Sequence, residues 1–468
     1  MMAESSSLVL SMEAVVGGQI IIPKCHPRLI DRLQQKLRFD NPEYRKAKRF
    51  GRDASGIPEE IYAIKEMPDG SCIVPRGCIK ELKQIVGVDG TVLKFTDRRS
   101  LGRPIGPFEE TKLFKEKPPR PYQKQLIEMI KTFFQGLGVL PCGSGKTRCG
   151  VDAIRAVGRT TLVLVHTDDL ADQWAETIKD YLGIRCGVVN AKKKETDRDV
   201  VVGSVWSMLP ILKDDPEYGK RFGLVILDEA HHAPAATFDD VLSRLPAKYR
   251  LGLTATPDRE DGQTKKMDWS FGPRLITKTV DEMIAAKYLT KPEVKLVETT
   301  FYHEVKNRNF HELDRALILD PERNDLIVKI ASENVSDNQI VLVLSQRKEH
   351  CVRLGQMLNE RKCPAYVLLG TTQKQLRKTI IQGMRDGKVR CIIATQLADE
   401  GLDIARLSRI ILAFPQRAKG PTIQRVGRVM RNFAGKVPVL YDLVDSQVPT
   451  LKSRAKDRQT AYRSIGIL

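Results

Sequence analysis

Residues 137–147 read Leu-Gly-Val-Leu-Pro-Cys-Gly-Ser-Gly-Lys-Thr, an apolar run that passes into a glycine-rich loop, and a segment typical of a helix follows at 148–157. The glycines allow backbone N–H groups to turn toward phosphate oxygens, and the N-terminus of the following helix adds the positive end of its dipole. The lysine can then reach the β- and γ-phosphates, and the threonine hydroxyl can bind Mg²⁺. The stretch therefore predicts a strand, a loop and a helix that bind a nucleoside triphosphate. The residues predicted to hold it are Gly143, Ser144, Gly145, Lys146 and Thr147.

A second apolar run, at 224–227, ends in two acids, Asp228 and Glu229. If this run is a strand of a parallel sheet, both carboxylates lie at the sheet edge where such folds bind their ligands. There Asp228 can hold a metal ion through water, and Glu229 can orient or deprotonate an attacking water. A surface Asp-Glu pair would only be solvated, but such a pair rarely follows an apolar strand directly. The two runs together predict a site of nucleotide hydrolysis.

Short apolar runs alternate with longer mixed segments along most of the chain. Four of these runs lie at 161–165, 224–227, 340–344 and 391–394. Buried parallel strands separated by helices produce this alternation. The third run starts a new series after a polar stretch at 286–299. We therefore expect an α/β fold with two lobes joined near residue 290.

The beginning of the chain has a different pattern. Residues 14–22 predict a hairpin and residues 27–37 predict a helix, so we expect a small α+β domain there. A charged, proline-rich segment at 114–121 is typical of a linker. The predicted domains are residues 1–105, 106–289 and 290–468.

Charge and cysteine content restrict the function classes. Lys and Arg number 77 against 58 Asp and Glu, which gives a formal charge of +19 and favours polyanionic partners, nucleic acid first. A basic balance alone also suits a membrane-surface protein or merely a soluble one. Because no apolar run reaches about 18 residues, we expect no membrane span, and we expect no membrane among the partners. The nine cysteines include no CxxC pair, which argues against a zinc ribbon and against a disulfide framework. We expect an intracellular protein, cytoplasmic, or nuclear if its source is a eukaryote.

The N-terminal domain contains a basic segment with aromatic residues. Between residues 28 and 52 there are nine Lys or Arg and three acidic residues, with Phe39, Tyr44 and Phe50 among them. Basic side chains interleaved with aromatic rings can bind phosphates and stack on bases. A solvated charged helix, anchored to the core by its aromatic residues, fits the same pattern. The sequence leaves both interpretations open.

The tetrapeptide at 228–231, Asp-Glu-Ala-His, resembles the DEAH form of motif II in superfamily 2 helicases. Segments at 120–123, 254–256 and 424–431 resemble the Q motif, motif III and motif VI, in the family's order. The resemblance covers about residues 118–445 and implies two tandem RecA-like domains that hydrolyse ATP with Mg²⁺ at a shared cleft. It implicates Gln123 in reading adenine. It implies that His231, Thr254 and Thr256 couple the ATP site to nucleic acid. It also implies that Gln424, Arg428 and Arg431 reach the γ-phosphate. Because Met430 departs from the family pattern, Arg428 is the better candidate for the arginine finger.

Further segments resemble the motifs that contact a nucleic-acid strand. They imply strand contacts for Thr167, Ser204, Arg347 and Thr395, and a role for Asp403 near the nucleotide. Taken singly, each hydroxyl among these residues fits a turn or a helix cap better than a contact with a nucleic-acid strand.

The phosphate loop and the segment 253–261 look most like the XPB group and its phage UvsW-like relatives. Within that segment, Arg259 and the two acids after it resemble a motif implicated in opening duplex DNA. A surface salt-bridge cluster fits those three residues equally well.

The resemblance implies an ATP-dependent DNA helicase or translocase that acts on duplex or branched DNA. An RNA helicase is an alternative, because both classes contact the sugar-phosphate backbone. The motifs also fit a DNA clamp subunit that binds ATP without hydrolysing it, and the motor of a defence or restriction complex whose nuclease lies on another chain. The presence of Glu229 and Arg428 favours a hydrolase over the clamp.

Overall fold

The computed structural model describes residues 11–86, 92–233, 235–255, 264–305, 310–395, 404–415 and 425–468. The chain divides into two compact units, residues 1–140 with 145–277, and residues 141–144 with 278–468. Each unit contains a parallel β-sheet flanked by helices, which confirms the α/β prediction. None of the described helices is both long and apolar enough to cross a membrane.

The N-terminal region of the first unit is the expected α+β arrangement. Its elements are β1 (Ser11–Val16), β2 (Ile20–Ile22), α1 (Pro27–Lys36), β3 (Arg38–Asp40), α2 (Pro42–Arg49), β4 (Glu60–Tyr62), β5 (Lys65–Glu66), β6 (Cys72–Val74), α3 (Ile79–Val86) and β7 (Val92–Asp97). Five strands form a sheet in the order β5-β6-β2-β1-β7, in which β1 and β7 are parallel. Strands β1 and β2 form the predicted hairpin, and α1 is the predicted helix.

Two buried arginines attach this N-terminal region to the rest of the first unit. Arg76 donates to the Gln135 side chain at 2.5 Å and to the Lys248 carbonyl at 2.6 Å. Arg250 donates to the Gly18 carbonyl at 2.9 Å. Burial lowers the pKa of both guanidinium groups, to about 10 for Arg250. Because a buried cation is costly unless its donors are satisfied, these bonds fix how the N-terminal region sits on the sheet beside it.

The parallel sheet of the first unit has seven strands. Its elements are α4 (Lys112–Glu116), α5 (Pro121–Phe133), β8 (Gln135–Val139), α6 (Lys146–Val157), β9 (Thr161–Val165), α7 (Asp168–Leu182), β10 (Gly187–Val189), β11 (Val200–Ser204), α8 (Val205–Asp214), β12 (Leu224–Asp228), α9 (Ala236–Ser243), β13 (Tyr249–Thr254), α10 (Thr264–Phe271) and β14 (Arg274–Thr277). The strand order is β10-β11-β9-β12-β13-β8-β14. The C-terminal ends of β8, β12 and β13 are therefore close together.

The segment that composition marks as a linker, 114–121, begins within helix α4. The Phe114 ring centre lies 4.1 Å from the guanidinium carbon of Arg155 and 4.8 Å from that of Arg148. Arg148 also donates to the Lys117 carbonyl at 2.6 Å. The linker interpretation is wrong for this part of the segment, because an aromatic ring stacked on two arginines holds it against α6.

The second unit contains a six-stranded parallel sheet. Its elements are α11 (Val280–Ala285), β15 (Glu293–Glu298), α12 (Phe310–Leu319), α13 (Pro321–Ser336), β16 (Val341–Leu344), α14 (Lys348–Glu360), β17 (Tyr366–Leu368), α15 (Lys374–Arg385), β18 (Cys391–Ala394), β19 (Arg409–Leu412), β20 (Val439–Val444) and α16 (Pro449–Ser464). The strand order is β15-β20-β19-β16-β18-β17. Strands β16 and β18 are two of the apolar runs from which the second lobe is predicted.

A buried histidine connects two helices to the end of β16. His350, on α14, lies with its Nδ1 3.0 Å from the Ser345 Oγ and its Nε2 2.9 Å from the Asn324 Oδ1. A neutral ring satisfies both contacts, accepting from the hydroxyl and donating to the amide oxygen. The Ser345 Oγ also accepts from the backbone N–H of Arg347 at 3.2 Å. This network fixes the turn that carries Arg347.

The burial of His350 predicts how stability depends on pH. Burial, with the positive charges of Arg323 and Arg353, lowers the pKa of His350 from 6.5 to about 3. The neutral ring therefore contributes its full stability above pH 6.5, and that contribution falls as the pH falls from 6.5 toward 3, by up to about 1.4 kcal/mol per pH unit. We expect His350→Gln to flatten this part of the profile in urea unfolding experiments. His311→Gln, at an exposed position, is the control; equal pH slopes for His350→Gln and the wild type would contradict the assignment.

Candidate active site

The glycine-rich loop leads from the end of β8 into α6, as the sequence predicts. The Leu140 N–H donates to the Thr254 carbonyl at 2.9 Å, which ties the start of the loop to the neighbouring strand β13. Gly143 and Gly145 have φ values of 80° and 89°, in the left-handed region that glycine tolerates without strain. The first N–H groups of α6, which begins at Lys146, lack partners within the helix. This arrangement fits the phosphates of a nucleotide.

Gln123 lies next to this loop. Its side-chain oxygen accepts from the Arg120 N–H at 2.8 Å, and its side-chain nitrogen lies 3.4 Å from the Gly145 carbonyl. The glutamine thus caps α5 and contacts Gly145, the residue just before α6. Its predicted reading of adenine stays a prediction.

The two acids lie at the end of β12, where the sequence places them. The Asp228 Oδ1 accepts from the Glu229 backbone N–H at 3.0 Å. The Glu229 Oε1 is 3.9 Å from the Lys146 Nζ, and its Oε2 is 3.4 Å from the His231 Nδ1. Glu229 has a φ of 50°, a conformation that costs energy for a residue other than glycine and that often marks functional sites. The loop lysine and the strand-end carboxylates therefore share one site.

Burial and charge move the pKa values of the two acids in opposite directions. Burial opposes ionisation of Glu229, but the Lys146 ammonium and the His231 ring outweigh it and lower the pKa of Glu229 below its usual range. Burial and the adjacent Glu229 charge raise the pKa of Asp228. Glu229 is therefore ionised, while the Asp228 carboxylate lies where a cation would relieve its electrostatic cost. With the Thr147 hydroxyl at the start of α6, this donor set fits a divalent metal ion.

His231 also contacts Thr254, the first residue of the segment that resembles motif III. Its Nδ1 lies 3.3 Å from the Thr254 Oγ1, at the end of β13. Because β12 and β13 are neighbouring strands, the two motifs meet at one edge of the sheet. Thr256 and Arg259, which are also predicted to couple the ATP site to nucleic acid, lie outside the described residues.

Trp174, on α7, also belongs to this site, although the sequence alone does not connect it with Asp228. Its indole Nε1 donates to the Asp228 Oδ2 at 2.7 Å, and its side chain is buried. The tryptophan itself is a signal in the sequence, because an indole N–H that becomes buried requires a hydrogen-bond acceptor. The sequence does not show which acceptor that is.

The arginines of motif VI lie in the second unit. Residues 425–429 are helical, and Arg431 follows the helix in a β-bridge with Leu289. Burial lowers the pKa of Arg431 to about 10. Gln424 and Asp403, also predicted to act at the nucleotide, lie outside the described residues.

The four predicted strand-contacting residues differ in their surroundings. The Thr167 Oγ1 accepts from the Leu170 N–H at 3.3 Å, so this hydroxyl caps α7. Ser204 is buried and donates to the Ser207 hydroxyl at 2.9 Å, while Thr395 is buried at the end of β18. Arg347 keeps 45% of its side-chain surface exposed while it pairs with an aspartate of α12. Their contacts with nucleic acid stay predictions.

Two family models match this chain. One, described as the res subunit of type III restriction enzymes, matches residues 116–259, and the helicase conserved C-terminal domain matches residues 322–433. A protein named DNA 3'-5' translocase XPB2, from Sulfurisphaera tokodaii, is 29% identical over 69% of this chain and 81% of its own length.

Solved structures align with both parallel-sheet units. The Saccharomyces cerevisiae protein Dbp5, bound to RNA and ADP BeF3, aligns over 77% of this chain and 94% of its own with a TM-score of 0.53 at 17% identity. This alignment confirms the tandem RecA-like fold. T4 UvsW aligns over 97% of both chains with a TM-score of 0.44 at 17% identity.

Replacing Glu229 is expected to separate nucleotide binding from hydrolysis. We expect Glu229→Gln to lower the rate of ATP turnover by at least about 100-fold, since it removes the base and keeps the side chain's size. The affinity for ATP, measured by calorimetry, should change little. Lys146→Ala is the contrasting variant. It should lower both the turnover rate and the affinity for ATP, because the ammonium group of Lys146 also pairs with the phosphates of bound ATP. Wild-type turnover in Glu229→Gln would show that another group is the base.

Proposed function

The chain belongs to helicase superfamily 2, and we propose from this membership that it is an ATP-dependent DNA helicase or translocase acting on duplex or branched DNA. The observation that carries the proposal is the cluster of Lys146, Asp228 and Glu229 at one edge of the parallel sheet, where β8 and β12 end on either side of β13. The relative from Sulfurisphaera tokodaii carries the name of a DNA translocase, and the chain's +19 charge suits a polyanionic partner.

Each residue of the cluster has a separate task in the proposed reaction. The backbone N–H groups of the loop and the Lys146 ammonium bind the phosphates of ATP. Glu229 orients the attacking water and accepts its proton. Thr147 and Asp228 would hold magnesium, which when bound supplies positive charge to the phosphate oxygens. Arg428, with Arg431 as the alternative, stabilises the charge on the phosphoryl group during transfer.

Hydrolysis is expected to depend on the nucleic-acid partner. We expect ATPase activity with magnesium, stimulated most by forked or duplex DNA, less by single-stranded DNA and least by RNA. The measurement is phosphate release with these four ligands at equal nucleotide concentration and one salt concentration. Stimulation by RNA above that by DNA would replace the proposal with the RNA-helicase alternative. A chain that binds ATP and releases no phosphate with any ligand would act as a clamp or assembly subunit.

Helix α2 and the residues after it form a candidate surface for the DNA backbone. Phe50 is 61% exposed, and its ring centre lies 6.0 Å from the guanidinium carbon of Arg49 and 5.9 Å from that of Arg52. The Lys48 ammonium lies 5.1 Å from the Tyr44 ring centre. The exposed Phe50 ring and the half-buried Tyr44 ring, with cations beside them, suit stacking on bases and pairing with phosphates. We propose that this surface gives the motor its preference for forked or duplex DNA.

Charge removal on α2 tests this surface. Replacing Arg45, Lys46, Lys48 and Arg49 by alanine should weaken binding to forked DNA. The slope of log binding constant against log salt concentration should become shallower, by up to about 0.9 for each phosphate that the variant no longer binds. Basal ATPase activity should not change. The control replaces Lys24, Lys36, Lys80 and Lys83, which are exposed elsewhere in the N-terminal region and carry the same total charge. Equal salt slopes for the two variants would mean that α2 is a solvated face.

A further inference from the structure

The carboxylate of Asp228 is fixed at both of its oxygens by groups of the chain itself. One oxygen accepts from the Glu229 backbone N–H at 3.0 Å, and the other accepts from the Trp174 indole N–H at 2.7 Å. Trp174 lies on α7 and is 1% exposed, so water does not compete for this bond. An indole N–H can only donate, and it therefore favours the ionised form of the carboxylate, which accepts.

Helix α6 is shaped to let this indole reach the acid. Gly150, in the middle of α6, faces Trp174 so closely that a Cβ at this glycine would lie 2.3 Å from the indole Cη2 and 2.9 Å from its Cζ3. Any larger residue at position 150 would displace the ring. Glycine within a helix costs about 1 kcal/mol relative to alanine, so its use here is consistent with a requirement for this close approach.

These contacts give Trp174 a task beyond filling the core. A carboxylate that binds a metal ion has to present one oxygen in a fixed direction, and residues that hold such ligands commonly change metal affinity when they are replaced. Of the two donors that hold Asp228, the backbone N–H comes from the adjacent residue, whereas the indole comes from a different helix. The hydrogen bond from the indole therefore prevents rotation of the carboxylate about the Cβ–Cγ bond of Asp228.

We propose that Trp174 is a positioning residue for the metal-binding carboxylate of Asp228. Its indole N–H holds the carboxylate in the orientation that binds a divalent cation together with ATP. This inference rests on the proposed function in one respect, that the site binds a divalent cation with the nucleotide. It adds a residue on α7 to a site otherwise built from α6, β12 and β13.

The test uses Trp174→Phe, which keeps an aromatic ring and removes the N–H. The direct measurement is Mn²⁺ binding in the presence of a non-hydrolysable ATP analogue, followed by the electron paramagnetic resonance signal of the free ion. We expect the affinity for Mn²⁺ to fall about 10- to 100-fold, as for other residues that orient metal ligands. Binding of the analogue in EDTA should stay within about twofold of wild type. In ATPase assays, raising the metal concentration should restore much of the lost rate.

Two further variants separate positioning from general stability. Trp269→Phe removes another buried indole, one that packs in the N-terminal core, and should leave Mn²⁺ affinity unchanged. Gly150→Ala keeps the indole N–H but displaces the ring, so it should weaken Mn²⁺ binding in the same direction. It also provides the test if Trp174→Phe does not fold, as judged by thermal melting.

The outcomes distinguish this inference from the proposed function. If the wild-type chain binds no Mn²⁺ with the ATP analogue, the proposed function fails and this inference fails with it. If the wild type binds Mn²⁺ and both Trp174→Phe and Gly150→Ala bind it equally well, only the inference is overturned. Weakened metal binding in those two variants, with Trp269→Phe unchanged, would support it.

Discussion

The electrostatic balance between two adjacent carboxylates and one ammonium group determines how the candidate active site is built. Asp228 ends a buried strand and Glu229 follows it directly, and their mutual repulsion is large where water is excluded. Lys146 lowers this cost for Glu229, while Asp228 keeps a raised pKa. The site is therefore suited to bind a cation and a polyphosphate together. The cation would compensate the carboxylate charge, and the polyphosphate would compensate the ammonium charge.

The surrounding elements can be understood as the means of holding these three groups together. Helix α6 provides Lys146 at its start, so the ammonium group and the helix dipole act on the same anion. Strand β13 provides Thr254 as a partner for His231, and α7 provides Trp174 as a donor to Asp228. The left-handed backbone at Glu229 is a local cost that the contacts of this site offset. Buried polar networks elsewhere, such as that of His350, have a structural task.

Features that depend on neighbouring residues could be predicted from the sequence. The phosphate loop, the strand that ends in two acids and the N-terminal hairpin are all set by local spacing and turn chemistry. The contact between Trp174 and Asp228 joins residues 54 positions apart, and no periodicity connects them. The packing of Phe114 on two arginines likewise depends on tertiary structure, so composition wrongly indicated a linker. Thr167 shows a third case, because its hydroxyl taken singly fits a helix cap better than a phosphate contact, and in the structure it caps α7.

Hydrolysis at Glu229 is proposed to drive movement along DNA. This coupling can be measured as displacement of a third strand from a DNA duplex, compared between the wild-type chain and Glu229→Gln. We expect displacement by the wild type with ATP and none with a non-hydrolysable analogue. We expect none by Glu229→Gln, although that variant binds both ATP and DNA. Displacement by Glu229→Gln at the wild-type rate, or ATP hydrolysis by the wild type without any displacement, would contradict the proposed coupling.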